Sequence, residues 1–173
     1  MYDTTSSIRL ARSQTGYREG RSANGRWNNN QKYSVQLPDF SWSNWQPWCA
    51  TFVQWVFWQT GVTVPVGARS ASCGVSCAAY KKAGRFTAYP VVGAQVFYGA
   101  NGSNHTGIVV RFDDTYVYTV EGNTNSSGSA EGDGVHEKKR VRRDDYVYGY
   151  GIPYYKGKAV SPDPKWNERE MST

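Results

Sequence analysis

Cys49 opens the run Cys49-Ala50-Thr51-Phe52-Val53-Gln54-Trp55-Val56-Phe57-Trp58-Gln59-Thr60-Gly61, directly behind Asn44-Trp45-Gln46-Pro47. Apolar residues Cys49, Phe52, Val53, Val56 and Phe57 recur at three- and four-residue steps. Pro47 stops a helix from extending backward and Gly61 suits a C-terminal cap, so the spacing predicts a buried helix with the cysteine in its first turn. A thiol there lies among amide N–H groups that lack intrahelical partners, at the positive end of the helix dipole, and both features favour the thiolate. The position suits a nucleophile as well as the plainer role of a small hydrophobe in an aromatic cluster.

A cysteine nucleophile needs a base, and the chain has two histidines, His105 and His136. His105 begins a strand-like run, Thr106-Gly107-Ile108-Val109-Val110, and would be fixed by a sheet; His136 sits between a Gly/Asp-rich loop and a basic run, where exposure to solvent is expected. If Ile108, Val110 and Phe112 share the core face with Tyr116, Tyr118 and Val120, they pair as Ile108–Val120, Val110–Tyr118 and Phe112–Tyr116 around a three-residue turn, Asp113-Asp114-Thr115. That register puts Gly107 opposite Glu121 and His105 opposite Asn123 on the other face. Glu121 is then diagonal to His105, with no side chain at Gly107 between them. Either Glu121 or Asn123 can accept from Nδ1–H of His105 and leave the other ring nitrogen to the thiol, the nucleophile, base and orienter set of covalent acyl transfer.

The remaining cysteines, Cys73 and Cys77, make an odd total of three, so at least one thiol stays free unless chains cross-link. Their spacing is not that of a zinc knuckle or a two-residue redox motif. They read as structural thiols or a local disulfide, and no metal site is expected.

The elements that must position these residues follow from the rest of the pattern. A short helix ends near Gly16, residues 24–33 form a polar loop, residues 38–47 a packed irregular connection, and a second main helix spans about 70–83 before Gly84. Valine- and tyrosine-rich runs at 94–98, 106–112, 116–121, 135–141 and 146–152 predict strands in an antiparallel meander. The expected class is α+β, with N-terminal helices packed on one face of an antiparallel sheet of about five strands. We expect one domain over residues 1–157, divided into N-terminal helix and loops (1–46), a helical part (47–84) and a sheet (90–157), then a polar, proline-broken tail or linker stub at 158–173.

With 173 residues, 39% of them hydrophobic, the chain can build one real core, since domains commonly run to roughly 100–200 residues. No apolar run reaches the roughly 18 residues a membrane helix needs, and residues 1–14 do not resemble a signal peptide, so a soluble protein without membrane insertion is expected. The formal charge is +6, with Lys138, Lys139, Arg140, Arg142 and Arg143 in one segment. Such a run suits a polyanion such as nucleic acid, an anionic membrane or an acidic wall polymer, or forms a solvated strand face beside Glu137, Asp144 and Asp145.

Four segments taken together, Pro47-Trp48-Cys49-Ala50-Thr51-Phe52-Val53, Pro90-Val91-Val92-Gly93-Ala94-Gln95-Val96-Phe97, Asn104-His105-Thr106-Gly107-Ile108-Val109 and Val120-Glu121-Gly122-Asn123-Thr124, resemble the CHAP family of cysteine, histidine-dependent amidohydrolase/peptidases, which is papain-like in fold. Gly16-Tyr17-Arg18-Glu19-Gly20 and residues 28–33 are similar to the segment ahead of the cysteine in CHAP endolysins of phages that infect actinobacteria. The resemblance implies hydrolysis of an amide in bacterial peptidoglycan, either as an endopeptidase or as an N-acetylmuramoyl-L-alanine amidase. It makes Cys49 the nucleophile, His105 the general base and then acid, Glu121 the orienting acceptor and Asn123 a fourth polar member.

One oxyanion donor is expected at the Cys49 backbone N–H, with Gln46 or Asn44 as a side-chain donor. Trp45, Trp48 and Asn104 are candidate substrate contacts beside the nucleophile and base, and Trp27, Trp42 and Trp58 are further candidates for stacking. The chain departs from the family pattern at Gly93-Ala94, where many members have Gly-Asp. Some phage members bind calcium just ahead of the cysteine, but residues 39–46 hold a single carboxylate here, so neither metal nor cofactor is expected.

The expected partners are peptidoglycan and, through the basic surface, anionic wall polymers; nucleic acid is not expected, and a monomer is the default. The enzyme would be made in the host cytoplasm and would act on the wall after release, or be carried on a virion. Two alternatives stay open: a non-catalytic module binding wall polymer or nucleic acid, and a papain-like peptidase acting on proteins.

Overall fold

The computed structural model describes residues 4–127 and 132–155. The expected tail at 158–173 lies outside the described residues. Helix α1 spans Thr4–Ser13, α2 Lys32–Gln36, α3 Cys49–Gln59 and α4 Cys73–Lys82. The strands are β1 (Phe86–Thr87), β2 (Gln95–Tyr98), β3 (His105–Phe112), β4 (Tyr116–Thr124), β5 (Gly134–Val141) and β6 (Val147–Gly151).

They form one sheet in the order β1-β6-β2-β3-β4-β5, and every pairing is antiparallel. The class is α+β, as expected, with two corrections of detail. The sheet has six strands, since β1 is only two residues long and carries no readable alternation. It is also not a simple meander, because β6 returns to lie between β1 and β2. The five-residue α2 falls at the end of the asparagine-rich segment read as loop. Its start is fixed by Gln31, whose side-chain oxygen accepts from the Ser34 N–H at 3.0 Å.

The sheet is apolar on both faces in its centre, and β2 is buried at all four positions. One face receives α3, whose Phe52, Val53, Val56 and Phe57 pack with Ile108, Val110, Val120 and Val135. The same face receives α4, where Cys77 and Tyr80 pack with Phe97. The opposite face holds a second cluster of Val96, Tyr98, Val109, Val117 and Tyr150. Each fully buried large apolar side chain contributes about 1.5–3 kcal/mol, so α3, buried from Cys49 to Phe57, is the most firmly held helix.

The β3–β4 register agrees with the expected one where it matters: Ile108 pairs with Val120. Beyond Val109–Thr119 a bulge at Val110 takes up one residue, so Arg111 pairs with Tyr118 and Phe112 with Val117, in place of the expected Val110–Tyr118 and Phe112–Tyr116. The Asp113 carboxylate favours this tighter end by accepting from the N–H groups of Thr115 at 2.9 Å and Tyr116 at 2.7 Å.

Candidate active site

Cys49 is the first residue of α3, and the residue before it is anchored on every side. Trp48 stacks on Tyr33 at 5.4 Å, meets the edge of Tyr17 at 6.1 Å and donates its indole N–H to Glu19 at 2.6 Å. Glu19 also accepts from the Asn29 N–H at 2.7 Å, so the segment ahead of the helix is strapped across its N-terminus. Trp48 is fully buried, which removes it from the candidate substrate contacts; its role is to fix the start of the helix. Trp45, Gln46 and Asn104 are exposed, on the chain segments that lead into Cys49 and His105.

His105 is the first residue of β3 and is almost fully buried, with its ring stacked on Tyr98 at 5.8 Å. Its Nε2 lies 3.0 Å from Glu121 Oε2. Gly107 makes this reach feasible, since a Cβ there would meet Glu121 Cγ at 2.6 Å and the Val120 carbonyl at 2.9 Å. Cys49 and His105 interact through their side chains. With Nε2 taken by Glu121, the buried Nδ1, which has no hydrogen-bond partner among the described residues, is the nitrogen left for the thiol. The carboxylate is thus on Nε2, in place of the expected Nδ1.

Asn123 is brought to the same strand end but not to His105. It adopts a left-handed backbone conformation (φ 52°), its Oδ1 accepts from the Gly132 N–H at 3.5 Å, and its buried Nδ2 has no hydrogen-bond partner among the described residues.

Glu121 is fully buried and its carboxylate is saturated. Besides His105 it accepts from Tyr98 Oη at 2.8 Å, Thr119 Oγ1 at 2.6 Å, and Arg140 Nη2 and Nε at 3.0 and 3.3 Å. Arg140 was read only as part of a basic run. On β5, however, His136, Lys138 and Arg140 face the same side, opposite Glu121, Thr119 and Val117, and that alternation was the available signal. The run is consequently no continuous patch. Lys138 donates to the Asn125 carbonyl at 2.6 Å, Arg142 to the Asp113 carbonyl at 3.3 Å, and of the five only Lys139 and Arg143 are exposed. His136, expected in solvent, is held 2.8 Å from Asp133, which also pairs with Arg18.

The thiol of Cys73, the first residue of α4, lies 3.5 Å from that of Cys49, so two helix N-termini converge on one pair of sulfurs. Nothing in the sequence spacing announces this neighbour. Cys49, Cys73 and Cys77 are all free thiols.

The electrostatics follow from these contacts. The Cys49 thiol is held well below the ordinary thiol range, first by the hydrogen bond from Cys73 and then, against burial, by the hydrogen bond and charge of His105 and by the Ala50 N–H. Cys73 is correspondingly pushed up by its hydrogen bond to Cys49, by burial and by the charge beside it. Burial would lower the pKa of His105, but hydrogen bonds and charge from Cys49 and Glu121 outweigh it and raise the imidazole to about 9. Burial would likewise raise Glu121, yet His105 and Arg140 hold it well below the usual carboxylate range. The resting pair near neutrality is a thiolate facing an imidazolium. Among the described residues no group of three His, Cys, Asp or Glu side chains is arranged to hold a metal ion.

An α+β fold with a cysteine at a helix N-terminus and a carboxylate-held histidine at the start of a sheet strand has the architecture of the papain-like class. Within that class the chain carries a CHAP domain: residues 41–123 match the family model of that description, a span that includes Cys49, His105, Glu121 and Asn123. No curated protein and no solved structure matches the chain at a significant level.

Proposed function

We propose that the protein is a peptidoglycan hydrolase that cleaves an amide of the wall peptide, or the amide joining it to the sugar, and that it serves phage-mediated lysis of actinobacteria. The observation that carries the reading is the Cys49–His105–Glu121 arrangement inside the matched CHAP segment. The thiolate of Cys49 attacks the amide carbonyl. The oxyanion of the tetrahedral intermediate is received by the Cys49 backbone N–H, which as the first amide of α3 has no intrahelical carbonyl to bond, with Gln46 beside it on the exposed approach. His105 gives its Nδ1 proton to the departing amine, leaving a thioester on Cys49. As base it then takes a proton from the water that hydrolyses the thioester. Throughout, Glu121 accepts from Nε2–H and holds the ring in place.

Trp45 and Asn104 flank the reacting groups as substrate contacts. A cavity of about 300 Å³ lined by Glu19, Arg26, Trp27, Asn29 and Gly132 adjoins Asn123 through Gly132, and it suits the peptide or sugar flanking the scissile bond. The excess of 20 basic over 14 acidic residues favours a wall that carries anionic polymers. Synthesis in the host cytoplasm and action on the wall after release complete the proposal.

The test is mass spectrometry of the fragments and new termini released from purified actinobacterial peptidoglycan, comparing the parent with Cys49→Ala. Release by the parent alone is expected, and the new ends distinguish amidase from endopeptidase. Equal release by both proteins, or none from walls of several peptide chemistries, overturns the reading and favours a protein substrate or a binding module.

A further inference from the structure

Cys73 has no part in the steps above, yet of all side chains it places the sulfur nearest the nucleophile. We propose that Cys73 is a resolving thiol: oxidation of Cys49 by a peroxide is captured as a Cys49–Cys73 disulfide, which switches the site off reversibly. The proposal rests on the reading of Cys49 as nucleophile and concerns the regulation of that same site.

The geometry supports it in three ways. The two Sγ atoms are 3.5 Å apart, against about 2.05 Å in a disulfide bond, and each belongs to the first residue of its helix. Both thiols are free, and they share a small cluster with Ala50 alone, so no bulky side chain separates them. Cys77, one turn further along α4, packs instead with Ala68, Tyr80 and Phe97 and is not aimed at the site.

The chemistry balances with hydrogen peroxide as oxidant. The Cys49 thiolate attacks one peroxide oxygen, the O–O bond breaks, and Cys49 becomes a sulfenic acid as hydroxide leaves and takes the proton of the His105 imidazolium to become water. The sulfur of Cys73 then attacks the sulfur of Cys49. The S–S bond forms, the S–O bond breaks, and the departing hydroxide takes the Cys73 proton as water. The net change is two thiols and one peroxide to one disulfide and two waters. Converting Cys49 to the uncharged sulfenic acid removes the thiolate whose hydrogen bond and charge, together with burial, hold the proton on Cys73, so the first step prepares the second. Without a thiol within reach, the sulfenic acid proceeds to the sulfinic acid, which ordinary thiols do not reverse. In a reducing compartment the pair stays open and the nucleophile is available.

The experiment treats the reduced full chain with graded hydrogen peroxide, blocks remaining thiols with N-ethylmaleimide, and maps the peptides by mass spectrometry, with Cys73→Ala and Cys77→Ala alongside. In the parent we expect an intact mass lower by two hydrogens, a Cys49–Cys73 cross-linked peptide, and recovery of both thiols with dithiothreitol. In Cys73→Ala we expect Cys49 sulfinic acid that dithiothreitol does not recover, and in Cys77→Ala the parent's behaviour. Cys49 found as sulfinic acid in the parent with no cross-link, a cross-link to Cys77, or Cys49 left unmodified overturns the proposal, and the parent's map alone decides this whatever the variants do. Wall cleavage measured on the same reduced samples separates the two readings. A cross-link with no wall cleavage sinks the hydrolase assignment only; cleavage with no cross-link sinks the switch only.

Discussion

Glu121 carries a full charge in a place with no solvent, and its neighbours explain how it keeps it. Arg140 supplies two hydrogen bonds and the opposite charge. Arg140→Ala leaves that carboxylate with His105, Tyr98 and Thr119 but without its two-pronged cation, at about 1.5–3 kcal/mol for lost hydrogen bonds to a charged group, read as a lower midpoint in chemical unfolding. Arg140→Lys should recover part of this, since an ammonium cannot make the two-pronged contact.

The pH profile of wall cleavage tests the pair itself. Activity needs Cys49 deprotonated and His105 protonated, so it should rise on the acid side of neutrality and fall as His105 loses its proton near 9. Glu121→Gln removes the negative charge that raises His105, so the alkaline limb should move to lower pH along with a fall in kcat. An unmoved limb would mean that another group sets it. At this scale the sequence was legible in Cys49, His105 and Glu121, because a helix start and a strand register are local properties. It was silent on Cys73, whose approach to Cys49 depends on how two helices pack, and it misled on Trp48, since a tryptophan beside a nucleophile looks the same in sequence whether it faces the groove or the core.

Among the elements, α3 and β4 meet through Gly122. A Cβ there would meet Phe52 Cβ and Trp48 Cζ3, each at 2.7 Å. Gly122→Ala must push the helix from the strand that carries Glu121, at about 1–3 kcal/mol for overpacking, and should lower both Tm and cleavage. The strap ahead of α3 makes a second prediction. Glu19→Ala orphans the buried indole N–H of Trp48, and a cost of about 1–3 kcal/mol is expected in thermal unfolding. The five longer strands, α3 and α4 could be read because hydrophobic period and turn residues agree there. The helix α2, the strand β1 and the bulge at Val110 could not, because each is too short for a period and is decided by side-chain caps and by pairing with distant strands.

For the molecule as a whole, the charge of +6 predicts that retention on anionic walls weakens as salt rises, because the interaction is screened over about 8 Å at physiological ionic strength. Cosedimentation with purified walls across a salt series checks this, and salt-independent retention would place the affinity in the groove. Substituting the exposed Lys139 and Arg143 alone should change retention little, because alternation on β5 turns Arg140 inward. The basic run looked like a patch in one dimension and is divided between two faces in three.

The position of β6 has a consequence in time. It is the last strand of the sheet in chain order, yet it fills the gap between β1 and β2 and hydrogen-bonds to both. Until residues 147–151 have left the ribosome, β2 lacks one neighbour, and the strand that presents His105 is paired to an incomplete support. Such long-range closure is expected to be slow and late. The Cys49–His105 pair is therefore expected to be fully supported only once β6 has joined the sheet.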